Sequence, residues 1–270
     1  MNLRAMRAIA AKDLAVVRRS KAVMLPLIIV PLIMVLVLPL VASFAPTFAN
    51  IPGASDLGAL IEQMPESFQA QLAPFDEEQR LVVLLLVYMF APLYLVVPMM
   101  VASVIAADAF AGEKERKTLE ALLHTPTSDT ELVLAKLAVG FVPAVVVAWS
   151  AFVIYAVVAN AAAWPTMGQI FFPTAMWWVL ALLVAPGVAA FGLGATVLVS
   201  ARVSTFQEAY QIGGLVVVPL VLLVVGQAAG VVFLSTALVA VIGVVFWVLA
   251  AVLIGLGLRT FRRGELLARG

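Results

Sequence analysis

Six apolar runs, each long enough to cross a bilayer, constrain the fold of this chain more than any other feature. Of its 270 residues, 64% are hydrophobic and 11% are charged. A soluble domain carries about 25% charged residues, so this chain cannot cover a core with polar surface. We therefore predict an all-α membrane protein with one transmembrane domain spanning residues 1–270. Its six transmembrane helices are expected at about 22–45, 81–107, 132–159, 173–200, 212–230 and 236–258.

Lysine and arginine are distributed unequally between the two sides of the predicted membrane. Six spans place both termini on one side, and that side carries 15 of the 16 Lys and Arg residues, while Arg80 lies on the other. Positive charge is retained in the cytoplasm, which predicts cytoplasmic termini.

The first run is uncharged over 24 residues, longer than the apolar part of a secretory signal, so we predict an uncleaved span. Ser43 and Ala45 leave cleavage open as an alternative.

Helix-forming patterns also flank the spans. The first 21 residues place Leu3, Met6, Ala10, Leu14 and Val17 at helical spacing among basic residues, which predicts an amphipathic helix at the cytoplasmic membrane surface. A solvated basic leader is the alternative. In the acidic loop 46–80, a short surface helix is expected around 57–64. Asp76 with Gln79 is typical of a cap that opens the second span, and Ser128 with Glu131 of one that opens the third.

Several kinds of site are missing from the sequence. There is no cysteine, the only histidine is His124, and no GxxxxGK[ST] phosphate-binding loop occurs. No charged residue lies in the middle of a predicted span, and Asp108 is at a boundary; ion-coupled carriers usually need such groups. We therefore expect no catalytic residues, no metal site and no enzymatic activity. The glycines within Phe191–Ala195, and the pair Gly226 and Gly230, indicate close helix packing. Dimerisation through Gly226 and Gly230 is left open.

The central charged segment, residues 108–136, interrupts the apolar runs. Glu113 with Lys117 and Arg116 with Glu120 have the i, i+4 spacing that supports a solvated helix. Leu119, Leu122 and Leu123 form an apolar ridge on the same helix, and Thr125-Pro126 ends it. The segment predicts a cytosolic helix between spans two and three that a soluble partner could move. An ordinary interfacial loop helix is the alternative.

The run AGEKERKTLE at 111–120, followed by Leu122-Leu123, Thr125-Pro126 and a return to Lys136, resembles the cytosolic segment of ABC-2 type transporter permeases of the sodium- and drug-export type. That resemblance implies a coupling helix that docks on a separate ATP-binding subunit. The docking residues would be Gly112, Glu113, Lys114, Glu115, Arg116, Lys117, Thr118, Leu119, Glu120, Leu122 and Leu123, with weaker contacts from Arg202 and Glu208.

The same resemblance implies an exporter built from two permeases, identical or related, and two ATPase subunits in a prokaryotic inner membrane. ATP and magnesium would be bound by the partner, so no cofactor and no nucleic acid is expected on this chain. The alternative is a non-transporting anchor or assembly subunit, and a membrane-embedded enzyme is a third. The cargo is left open, because Met99, Met100, Phe171, Phe172, Trp177 and Trp178 suit an amphiphile or drug and equally suit lipid-facing belts and helix packing.

Overall fold

The computed structural model describes residues 3–48, 64–118 and 129–260, and within these ranges the chain is helical with no strand. Six helices are long and apolar enough to cross a membrane, which confirms the predicted fold class. They are span one, Val23–Ser43; span two, Glu77–Glu115; span three, Glu131–Met167; span four, Ala175–Ser200; span five, Phe206–Ala228; and span six, Thr236–Arg259. The N-terminal helix is Leu3–Arg19 and a loop helix is Glu66–Leu72.

Span two is longer than predicted at both ends. Its first turn is the expected capping box, since the Gln79 N–H donates to Asp76 Oδ1 at 2.8 Å and the Asp76 N–H donates to Gln79 Oε1 at 3.3 Å. The helix then continues for 39 residues, about 58 Å at 1.5 Å per residue. Apolar composition marks only the part in hydrocarbon. The predicted cap at Asp76 located the extra turn at the start, whereas the charged turn at the end was missed.

The other span bounds differ for similar local reasons. Span three continues past the predicted end at 159 to Met167 and passes through Pro165. It stops at Gly168, whose φ of 60° is typical of a helix C-cap and whose N–H donates to Trp164 O. Span five begins at Phe206, six residues before the predicted start, because Thr205 caps it by accepting from the Glu208 N–H at 3.2 Å.

Spans two and four form the core of the bundle. In the most apolar 18-residue stretch of each of these spans, 67% is buried. In the corresponding stretches of spans one and five, 17% is buried. Glycine brings span four close to its neighbours: a Cβ on Gly192 would lie 3.1 Å from Met99 O of span two, and one on Gly194 would lie 3.2 Å from Ile254 N of span six. The packing role predicted for these glycines is confirmed.

Wide helical turns with i→i+5 bonds interrupt three spans, at Ile33–Val37, Leu84–Met89, Asp108–Gly112 and Leu180–Val184. Such a turn disturbs the i→i+4 ladder and frees backbone carbonyls that lipid cannot satisfy. In spans two and four, side chains from other spans donate to carbonyls in these turns. Tyr155 Oη donates to Leu86 O and Trp177 Nε1 to Val87 O, each at 2.7 Å, and the indoles of Trp149 and Trp247 donate to Ala181 O and Leu183 O.

Several of the aromatic and methionine side chains that left the cargo open are part of this packing. Trp177 is fully buried and Phe172 is 1% exposed. The rings of Tyr155 and Trp177 stack at 4.9 Å between centroids. Met99 is also fully buried, whereas Trp178 is half exposed. Helix packing therefore explains Met99, Phe172 and Trp177.

The Gly226–Gly230 pattern closes span five. The Val231 N–H donates to Gly226 O at 2.8 Å, the Gly230 N–H donates to Gln227 O at 2.9 Å, and Gly230 has a φ of 69°. These are the two bonds and the left-handed residue of a Schellman C-cap. A Cβ on Gly226 would meet Val232 of the same turn at 3.0 Å, so this glycine packs against its own turn.

Candidate functional site

The charged end of the bundle is built from the N-terminal helix, the last turn of span two, the first turns of span three and the link between spans four and five. Its central feature is the C-cap of span two. The Thr118 N–H donates to Glu113 O at 3.0 Å, the Lys117 N–H donates to Lys114 O at 3.1 Å, and Lys117 has a φ of 55°. This Schellman motif places a lysine where glycine is usual and ends the regular helix at Glu115.

Glu113 is held in a buried ion cluster and is not exposed on a solvated helix. The residue is 3% exposed, and its carboxylate accepts from Lys12 of the N-terminal helix and, at 2.5 Å, from Lys136 of span three. Asp13 completes the cluster, with Lys12 Nζ at 2.9 Å and Lys136 Nζ at 3.1 Å. Two carboxylates and two ammonium groups give a cluster without net charge that joins three helices.

Lys136 lies at the centre of this ion cluster and is 1% exposed. A lysine ammonium has three donors, and here they reach Asp13 Oδ2, Glu113 Oε2 and Ala109 O. Ala109 belongs to the wide turn Asp108–Gly112, so Lys136 also satisfies a carbonyl in that turn. The Phe110 ring lies 5.7 Å from the same ammonium. A buried lysine is tolerated here because all three of its protons are bonded.

Arg116 stabilises the same turn from the solvent side. Its Nη1 donates to Asp108 Oδ1 at 2.9 Å and its Nη2 to Asp108 O at 3.3 Å. Asp108 is 4% exposed, whereas the Arg116 side chain is 42% exposed. The guanidinium therefore covers a buried carboxylate at the end of span two.

The link between spans four and five contacts the end of span two directly. Lys114 Nζ donates to Val203 O at 2.9 Å, and the Phe206 N–H donates to Glu115 Oε2 at 2.8 Å. Glu208 stays on its own helix start, where Oε2 accepts from the Ser204 N–H at 3.1 Å. Arg202 and Glu208, predicted only from family resemblance, thus lie on the segment that meets Lys114 and Glu115.

Lys12 is the most exposed member of the ion cluster, with 43% of its side chain accessible. Burial lowers its pKa, but hydrogen bonds and charge attraction from Asp13 and Glu113 outweigh that effect, so the pKa is raised above the ordinary lysine value. The protonated form is thereby stabilised in the folded chain. Lys12 therefore stays charged across the neutral pH range.

The N-terminal helix turns its apolar stripe toward the protein. Ile9 and Val17 are 7% and 2% exposed, and Ile9 packs with Leu132 and Ala135 of span three. Arg4 and Arg7 are on the exposed face. An amphipathic helix is therefore present, but the predicted stripe is only partly buried, because Val17 is buried whereas Leu14 is 38% exposed. Ile9, which was not in that stripe, makes the contact with span three.

One prediction about the central segment is wrong. Glu113 does not pair with Lys117, because its carboxylate is taken by Lys12 and Lys136 and because the chain leaves helical geometry at Lys117. Gly112, Glu113 and Lys114 belong to the end of span two, and Arg116 pairs with Asp108. The predicted partner Glu120, with Leu119, Leu122, Leu123 and His124, lies outside the described residues, as do the Ser128 cap and nearly all of the helix predicted around 57–64.

Sequence reasoning missed Lys12, Asp13 and Asp108 as members of the site. One signal was available, because Asp13 is the only acidic residue of the N-terminal helix and sits beside its apolar stripe. An isolated acid at such a position predicts a basic partner. The identity of that partner, 123 residues away, could not be found from local spacing.

Within the described residues, six helices of spanning length, two of which are joined to the N-terminal helix by a buried ion cluster, define a multi-pass integral membrane protein. Residues 7–244 match the family model described as ABC-2 family transporter protein. The match covers most of the chain and includes every residue of the ion cluster, so the chain belongs to the ABC-2 transporter family and its role is in membrane transport. Neither the comparison with curated proteins nor the comparison with solved structures found a match.

Proposed function

We propose that this chain is the membrane-spanning subunit of an ATP-driven exporter and that the charged end receives a separate ATP-binding subunit. The observation that carries the proposal is the arrangement at the end of span two. Lys114, Glu115, Arg116 and Lys117 are exposed, while Glu113, directly before them, is fixed in the ion cluster. A partner that binds the exposed side chains would act on the last turn of span two, which Glu113 attaches to the N-terminal helix and to span three.

The proposed mechanism follows from that attachment. Movement of the last turn of span two would be passed to span three through Lys136 and to the N-terminal helix through Lys12, because Glu113 bonds to both. The link between spans four and five would follow through Lys114 and Glu115. ATP and magnesium would be held by the partner, in two copies, with a second permease completing the exporter. Both termini would lie in the cytoplasm of a prokaryotic cell.

The experiment is purification of the tagged chain in mild detergent after co-expression with its neighbouring genes. A co-purifying subunit carrying a phosphate-binding loop, and ATP hydrolysis by the complex, are the expected results. Reversing the exposed charges with Lys114→Glu and Lys117→Glu should remove the bound ATPase, since neither side chain belongs to the buried cluster. Glu78→Lys reverses an exposed charge at the opposite end of span two and should leave the complex intact.

Two outcomes would contradict the proposal. One is a chain that purifies without a nucleotide-binding partner, as an anchor or assembly subunit would. The other is a complex whose ATPase remains bound in the Lys114→Glu, Lys117→Glu variant. Glu113→Ala does not test docking, because it leaves Lys136 short of a buried partner and so perturbs folding as well.

A further inference from the structure

The wide turn Leu84–Met89 makes span two dependent on side chains from other spans. Three successive carbonyls in this turn accept hydrogen bonds: Leu86 O from Tyr155 of span three, Val87 O from Trp177 of span four and Tyr88 O from Gln227 of span five. Three separate helices therefore converge on one turn. A carbonyl left without a donor in the bilayer core costs several kcal/mol, so each contact holds its span against span two.

Pro92 explains why Tyr88 O needs an outside donor. In an α-helix the N–H of residue 92 would bond the carbonyl of residue 88, and proline has no N–H. Gln227 Nε2 occupies that role at 3.2 Å. Within span two the Phe90 N–H also reaches Tyr88 O, so Gln227 is the donor that comes from another span.

The three contacts differ in how firmly they are held. Tyr155 and Trp177 are 2% and 0% exposed, stack on each other and pack around Phe172. Gln227 comes from span five, of which only 17% of the most apolar window is buried. Its Oε1 is buried and has no hydrogen-bond partner among the described residues. Leu220 of span five is fully buried in the core, but the polar contact of this span with the wide turn is one amide bond, whereas the other two donors are set in an aromatic cluster.

We propose that the Gln227–Tyr88 hydrogen bond is a releasable lock that holds span five against the bend in span two. Tyr155 and Trp177 keep the bend fixed to spans three and four, and Gln227 is the contact that opens when span five moves. Gln227 is thus a positioning residue that acts through a backbone carbonyl. This inference concerns motion between spans and stands independently of the partner and cargo of the exporter.

The test measures amide hydrogen exchange of span five in the full chain, purified alone in lipid nanodiscs without nucleotide. Gln227→Leu removes the donor at similar volume. We expect exchange in residues 218–228 to accelerate about fivefold or more, the effect of losing one hydrogen bond of ordinary strength. In a Pro92→Ala background, residue 92 supplies its own N–H to Tyr88 O, so Gln227→Leu should then change exchange less than about twofold.

Tyr155→Phe is the matched control. It removes the donor to Leu86 O, which Pro92 does not affect, so exchange in residues 84–94 should rise equally with and without the Pro92→Ala change. Gln227→Met gives the same test if the leucine variant folds poorly. The lock is overturned if Gln227→Leu and Gln227→Met leave exchange unchanged, or if they accelerate it equally in both backgrounds, because packing alone would then explain the effect.

Discussion

Lys136 of span three donates a hydrogen bond of 3.1 Å to Asp13 of the N-terminal helix. The two residues are 123 positions apart, and both are almost fully buried. Glu113 bonds to the same ammonium from span two. Lys136 is therefore a buried basic group on which two acidic groups from different helices converge, and Lys12 pairs with the same two acids from the more exposed side.

Removing that basic group should strongly destabilise the chain. Lys136→Met leaves Asp13 and Glu113 buried with Lys12 as their remaining cation, and loss of one partner from a buried ion pair costs about 3–5 kcal/mol. The measurement is the free energy of unfolding in detergent by denaturant titration. Lys114→Met is the control, because its exposed ammonium makes one bond at the surface and should cost about 1 kcal/mol or less. Equal effects of the two variants would show that the cluster is not structurally important.

The stability of the charged end should fall at strongly alkaline pH. The pKa of Lys12 is higher in the folded chain than its ordinary value, so its contribution is fully present below that ordinary value, about 10.4, and is lost as the pH rises through the folded pKa. Thermal unfolding measured at increasing pH should show this loss. Lys12→Arg should move the decline upward, because arginine stays charged; identical pH profiles would argue against the assigned pairing.

Adding a methyl group at Gly192 should separate spans two and four. The new Cβ would lie 2.9 Å from Ser103 Oγ and 3.1 Å from Met99 O, and the backbone atom cannot move aside. We expect Gly192→Ala to cost about 1–3 kcal/mol of stability. Gly255→Ala in span six is the matched control, since nothing lies within 4 Å of its Cβ, and it should be neutral or stabilising. The measurement is the thermal unfolding midpoint of each variant, which should fall in Gly192→Ala and not in Gly255→Ala.

The orientation predicted from lysine and arginine can be measured directly, since the chain has no cysteine. The variants are Arg4→Cys, on the N-terminal helix, and Ala73→Cys, at the opposite end of the bundle. Both positions are exposed. A membrane-impermeant maleimide applied to intact cells should label position 73 and should label position 4 only after permeabilisation. The reverse pattern would place the charged end outside the cell.

The sequence predicts the fold well where the determinants are local. Run length and composition locate six spans, and the side-chain chemistry of Asp76 and Gln79 locates the start of span two. Prediction from the sequence fails where a helix continues beyond the hydrocarbon region, as at Glu113–Glu115. Charged residues fit a solvated extension of the same helix and a separate helix equally well.

The candidate site is predicted only in part, for a different reason. The i, i+4 rule counts neighbours within one helix, and by that rule Lys117 is the natural partner of Glu113. The observed partners, Lys12 and Lys136, are 101 and 23 residues away, and only the packing of three helices brings them together. Pro92 and Gln227 illustrate the same limit: the missing N–H can be seen in the sequence, whereas its replacement comes from span five, 139 residues from Tyr88.

The ion cluster also dictates an order of assembly. Asp13 and Glu113 emerge from the ribosome before Lys136, so their final partner does not yet exist while spans one and two are being inserted. Until then Lys12 is the one cation for two carboxylates, and burying the excess negative charge is costly, so we expect the N-terminal helix and the end of span two to stay hydrated until span three enters the membrane. Arrival of Lys136 then joins all three helices at once, making the third span the step that completes the biogenesis of this half of the molecule.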